Sequence, residues 1–107
     1  MQTVPQSGEI WFVDLGMVGK PRYVLVMAAQ TNARLALASV VLITTQFENT
    51  PYEVTLPRVP WLREQSYINA QSIQPVKFTE FVRKAPGKFD ARVTNKVDAA
   101  LKRWLNL

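Results

Sequence analysis

Short apolar runs, each only a few residues long and each stopped by turn residues, set the pattern of this chain. The first, Gly8-Glu9-Ile10-Trp11-Phe12-Val13-Asp14-Leu15, alternates, with Glu9, Trp11 and Val13 on one side and Ile10, Phe12 and Asp14 on the other. Both sides are largely apolar, which suits a strand covered twice, by a barrel interior and by a helix or partner chain. The loop Gly16-Met17-Val18-Gly19-Lys20-Pro21 ends it. A second strand opens at Arg22 and continues through Tyr23-Val24-Leu25-Val26-Met27, and a third, Val40-Val41-Leu42-Ile43, ends in Thr44-Thr45-Gln46. Between them, residues 28–39 show no clear period and read as a connection. Tyr52-Glu53-Val54-Thr55-Leu56 alternates as a fourth strand until Pro57. Ser66-Tyr67-Ile68-Asn69 is a short fifth, and residues 73–76 and 78–84 read as two further short strands.

The chain closes with a helix. Asp90 is suited to cap it, and Val93, Val97, Ala100, Leu101 and Trp104 recur at helical spacing as one buried stripe. Arg92, Lys96 and Arg103 fall on another, exposed side. About six short strands and a terminal helix predict a mainly β fold, an SH3-like, partly open barrel with the helix as its lid. At 107 residues the chain predicts one domain, 1–107, with a loose lead of 1–7.

Composition narrows the chemistry. With no cysteine there is no disulfide or thiolate, and with no histidine there is neither the usual zinc ligand nor an imidazole acid or base. No metal or cofactor is therefore expected, and catalysis would fall to Arg, Lys, Thr, Ser, Tyr, Asp or Glu. No apolar run approaches the ~20 residues of a membrane span, and the first seven residues lack the features of a signal peptide, which predicts a cytoplasmic protein. The net charge of +5 points to an anionic partner such as nucleic acid. It resides entirely in residues 76–107, because the five basic residues before them (Lys20, Arg22, Arg34, Arg58, Arg63) are matched by five acidic ones (Glu9, Asp14, Glu48, Glu53, Glu64).

Polar groups at the rims of rigid strands are the candidates for a site. Arg22 stands where a strand begins and Thr44 where one ends, and Lys20 lies in the glycine-bearing loop that could meet phosphate. The loop Arg58-Val59-Pro60-Trp61-Leu62-Arg63 sets arginine beside tryptophan, as stacking on an unpaired base requires, although Trp61 and Leu62 could equally tuck under the barrel rim. Likewise Arg22 could be a structural cap and Thr44 a strand-end residue bonded to backbone. These residues alone thus also suit a non-catalytic SH3-like barrel that binds nucleic acid or a protein partner.

The succession Gly8-Glu9-Ile10-Trp11, then Pro21-Arg22-Tyr23-Val24-Leu25-Val26, then Ile43-Thr44-Thr45-Gln46, then Tyr67-Ile68-Asn69-Ala70-Gln71, followed by a basic terminal helix, resembles the MazF/PemK family of toxin endoribonucleases. Tyr23 departs from it, standing where the family usually has proline. The resemblance implies a homodimeric toxin that cleaves single-stranded RNA without metal, leaves a cyclic phosphate and a free 5′-hydroxyl, and is neutralised by a cognate antitoxin with an acidic, disordered C-terminal segment. It implies Arg22 and Thr44 as the catalytic pair, with Lys20, Thr45, Gln46, Arg58, Arg63 and Gln71 as RNA-binding support. Where some members carry Arg-x-Asp before the glutamine, this chain has Ile68-Asn69-Ala70, which leaves the pair as the implied machinery. Trp11 and the apolar residues on both faces of strands one and three exceed what one small barrel covers, and this also predicts a homodimer.

Overall fold

In the computed structural model, residues 4–16, 19–30 and 36–107 are described. Met17 and Val18 of the first loop, residues 31–35 of the connection and residues 1–3 lie outside them. The strands are β1 (Ile10–Val13), β2 (Arg22–Ala29), β3 (Leu37–Thr44), β4 (Glu53–Thr55), β5 (Tyr67–Lys77) and β6 (Phe81–Lys84), followed by α1 (Ala91–Leu105). They form one open antiparallel sheet in the order β4-β5-β3-β2-β1-β6. The expected mainly β architecture with a closing helix is the observed one.

Alternation in the central strands sends side chains to two separate cores. Ile10, Leu25, Val41, Ile43 and Ile68 point to the face covered by α1 and by the loop that carries Val59, Trp61 and Leu62. Trp11, Val13, Val24, Val26 and Val40 point to the other, closed by Val76, Phe78 and Phe81. Trp11 is therefore buried within the single chain, its ring edge-on to Phe81 at 5.6 Å, and needs no second chain to cover it. The stretch 28–39 is less irregular than its sequence indicates, because β2 runs on to Ala29 and β3 starts at Leu37. The small side chains of Ala28, Ala29 and Ala38 obscure their strand character. The runs on either side of residues 70–72 are one strand, β5. At its irregular centre the Ser72 hydroxyl accepts the Leu42 N–H at 2.8 Å, replacing a ladder carbonyl. Residues 78–80 form a turn of 3₁₀ helix before β6.

Asp90 caps α1, its carboxylate accepting the N–H groups of Arg92 and Val93. Those backbone N–H groups, with the Arg92 guanidinium, outweigh the modest opposing effect of burial and hold its carboxyl below the ordinary value. Val97 and Ala100 are buried and Val93 and Leu101 half-buried, but Trp104 is 41% exposed. Tyr52 meets that ring edge-on at 5.3 Å and leaves much of it uncovered.

The opening Gly-Glu-Ile-Trp is a structural device. Gly8, at φ +89°, turns the chain so that its N–H reaches the Val26 carbonyl. Glu9, 7% exposed, accepts the Gln6 N–H at 2.8 Å, Trp11 Nε1–H at 3.0 Å and Lys84 Nζ at 3.3 Å, tying the lead segment, β1 and β6 together. Burial pushes its carboxyl up, but these donors outweigh burial and hold it below 4.5. A folded value below the unfolded one means that the stabilisation is complete above about pH 4.5 and is lost as pH falls through the folded value. Glu9→Gln should accordingly cost about 1–3 kcal/mol at neutral pH, and the gap from the parent should narrow in acid, as followed by thermal unfolding.

Candidate active site

Arg22 is the first residue of β2 and Thr44 the last of β3. The ladder between the two strands reaches Val24 and Leu42, and beyond it Arg22 and Thr44 line the same cleft. Two residues distant in sequence are thus brought to one cleft.

Both are half-buried. The Arg22 Nε is fully buried and has no hydrogen-bond partner, the only such buried side-chain atom among the described residues. Buried donors are normally satisfied, so an unpaired one on a residue that lines a cleft stands out. Thr44 Oγ1 accepts the Gln46 N–H at 3.1 Å. That bond uses a lone pair and leaves the hydroxyl proton free to donate.

Two hollows meet on this pair, sharing Arg22, Ile43, Thr44 and Thr45. One, of about 430 Å³, is polar and completed by Lys20, Pro21 and Gln46. The other, of about 300 Å³, is walled by Phe12, Tyr23, Trp61 and Leu62, with Arg63, Glu64 and Ser66 at its rim. Its aromatic walls brace one another edge-on, with Phe12 against Tyr23 at 5.1 Å and Tyr23 against Trp61 at 5.2 Å. Behind them the Arg83 guanidinium lies 4.2 Å from the centre of the Phe12 ring. Trp61 packs on the core, as the tucked arrangement expects, and also lines the cleft.

The rim loop is held by its own polar groups. Gln65 Nε2 donates to the carbonyls of Leu56 and Ser66, and the Ser66 hydroxyl donates to the Glu64 carbonyl. Arg58 belongs to this bracing. Its guanidinium donates to the Arg63 carbonyl at 3.0 Å, and it lines neither hollow. Gln71 is exposed on the irregular part of β5 and lines neither hollow. The structure therefore gathers Arg22, Thr44, Lys20, Thr45, Gln46 and Arg63 and leaves Arg58 and Gln71 outside. Sequence reasoning missed Phe12, Tyr23, Glu64 and Ser66. Cross-strand alternation would have revealed the first two, whereas the others depend on how the 57–65 loop folds back.

On the far side of Gln46, Phe47 is 49% exposed and stacked on Tyr67 at 4.7 Å. The turn beyond is fixed by Glu53, whose carboxylate accepts the N–H groups of Glu48 at 2.7 Å and Thr50 at 2.6 Å. Among the described residues, no group of three or more Asp or Glu side chains could hold a metal ion, and no helix is long and apolar enough to cross a membrane.

The sequence from residue 6 to 105 matches the family model described as PemK-like, MazF-like toxin of type II toxin–antitoxin system. The chain belongs to this toxin family. Among solved structures, this toxin-family chain is similar to an endoribonuclease from a mycobacterial species in complex with its cognate antitoxin, with 25% identity, 97% of each chain covered and a TM-score of 0.78. It shares its fold with the Mycobacterium tuberculosis toxin MazF-mt6 (22% identity, 92% of this chain and 97% of that one covered, TM-score 0.78). The same holds for MazF from Deinococcus radiodurans (19% identity, 98% and 99% covered, TM-score 0.75). No curated protein sequence matches the chain.

Proposed function

We propose that this member of the toxin family is a cytoplasmic endoribonuclease, the toxin half of a toxin–antitoxin pair, and that it cuts single-stranded mRNA at Arg22 and Thr44. The observation that carries this reading is the pair itself, Arg22 and Thr44 lining two adjoining hollows together, with an unpaired Arg22 Nε–H and a free Thr44 hydroxyl proton. A phosphodiester placed there has one nucleoside in each hollow. Its own 2′-hydroxyl attacks the phosphorus and expels the 5′-oxygen, leaving a cyclic phosphate and a free 5′-hydroxyl. Charge grows on the non-bridging oxygens during attack, and a guanidinium fork matches them in shape and sign. Thr44 donates to the same phosphate and fixes its orientation.

A non-catalytic barrel has less in its favour. Were Arg22 a structural cap, its guanidinium would bond backbone carbonyls, but among the described residues its buried Nε has no such partner. The antitoxin fits the same cleft by charge, because Lys20, Arg22 and Arg63 would meet its carboxylates as they meet phosphates. The homodimer expected from the family remains part of this reading, supported by that kinship and no longer by Trp11, which is covered within the chain.

The test is cleavage of single-stranded RNA with analysis of the new ends, together with affinity for an uncleavable strand. Three cations at the cleft predict that log Kd rises with log salt at a slope of about 2, from roughly 0.7 per phosphate neutralised. Intact RNA after prolonged incubation with folded protein would overturn the reading.

A further inference from the structure

We propose that the aromatic hollow beside Arg22 and Thr44 binds a guanine base, which the Glu64 carboxylate reads along its Watson–Crick edge. The proposal rests on the ribonuclease reading and adds to it the identity of one base next to the cut.

Glu64 is out of place for a site that holds phosphate. Among the described residues it is the only acidic residue lining either hollow, and it shares the aromatic one with Arg22 and Arg63. The ion pairs among the described residues are Lys84–Glu9 and Arg92–Asp90, and the Glu64 carboxylate makes neither an ion pair nor a hydrogen bond. An exposed carboxylate there repels the RNA backbone unless it meets donors on the RNA. Base edges are the donors RNA offers besides its hydroxyls.

The walls say where the base lies. Phe12, Tyr23 and Trp61 wall the apolar side of a hollow of about 300 Å³, near the lower end of about 300–1,000 Å³ for small-ligand pockets, which gives room for one base and its sugar. Stacking against such rings accepts any base. Selection must come from the polar rim, where Glu64 can only accept hydrogen bonds. Guanine presents two adjacent donors, N1–H and the N2 amino group, which match the two oxygens of a carboxylate. Adenine and cytosine set one amino group beside a ring-nitrogen acceptor that the carboxylate repels, and uracil sets one N–H between two carbonyls. Guanine is the base that the fork fits. Arg63, on the same rim, is placed to face the adjoining phosphate or the base plane.

The experiment compares guanine with inosine, which lacks only the N2 amino group. End-sequencing of a random single-stranded pool cut by the wild-type protein should show guanine enriched at one position adjoining the cut. At that position inosine should slow cleavage about tenfold to a hundredfold, the usual discrimination of a good bidentate pair. Glu64→Gln should slow the guanine strand by a similar factor, and inosine should then cost the variant no more than about twofold, because both changes remove the same contact. Circular dichroism checks that the variant is folded. A variant that keeps the full guanine-to-inosine ratio overturns the proposal, as does a wild-type pool without guanine enrichment. If the wild-type protein cuts no RNA, anisotropy with guanine- and inosine-containing strands still decides. A guanine preference lost in Glu64→Gln upholds the base site while cleavage alone fails, and equal binding of both strands overturns the base site too.

Discussion

Arg22→Met should lower the rate of RNA cleavage by about 10²–10³ while leaving the thermal midpoint unchanged or slightly raised. The first number is the usual effect of removing one donor that meets charge developing in the transition state. The second follows from the free protein. Arg22 Nε is buried without an acceptor, a condition that typically costs about 1–3 kcal/mol. Methionine keeps most of the apolar stem that packs at the start of β2 and removes the stranded donor. Activity and stability should therefore move independently, or in opposite directions, which is the signature of a group held ready for a ligand. Initial rates on a single-stranded oligonucleotide and a melting curve on the same preparation provide the check. If activity and melting temperature fell together, Arg22 would be a structural brace and the phosphate site would lie elsewhere.

Much of this arrangement is legible in the sequence because the site sits at strand ends. Turn residues bracket each apolar run, so the positions of Arg22 and Thr44 as first and last residues of strands follow from Pro21 and from Thr44-Thr45-Gln46. What makes them partners is register, a long-range quantity that local pattern does not encode. The same gap explains Trp11. Two-sided apolarity in β1 is plain in the sequence, but a large ring on its second face reads as needing another chain until Phe81 and Val76 are seen folding over it. The continuity of β5 is hidden for a different reason, since Ala70-Gln71-Ser72 reads as a break while the Ser72 hydroxyl repairs the ladder. The aromatic hollow is least legible. It needs Tyr23 from β2, Phe12 from β1 and a loop that brings Trp61 and Glu64 back across the sheet, a conjunction that spacing does not reveal. Charge misleads as well, because the +5 lies in residues 76–107 whereas the cleft's cations, Lys20, Arg22 and Arg63, come from the electrically balanced part of the chain.

Thr44→Val should reduce cleavage by about 10²-fold, and Thr44→Ser should restore most of it. Valine matches threonine in shape and in preference for a strand, so β3 and its pairing with β5 at Thr44–Tyr67 should persist. What it lacks is the hydroxyl, which has two partners to serve. One lone pair holds the Gln46 N–H at the turn that carries Thr45 and Gln46 along the polar hollow, and the proton is the one that the proposed mechanism donates to the phosphate. Serine supplies both functions, with one methyl fewer to pack. The two roles separate in the kinetics, because a slack turn weakens binding and raises KM, whereas a missing donor to the phosphate lowers kcat. The expected result for valine is a fall in kcat with a smaller rise in KM. Exposed Gln46 offers a control, since Gln46→Ala keeps the backbone N–H and the Thr44 contact intact and should change kcat less than threefold. A valine variant with unchanged kcat would remove the hydroxyl from the chemistry and leave Arg22 as the only assigned group at the phosphate.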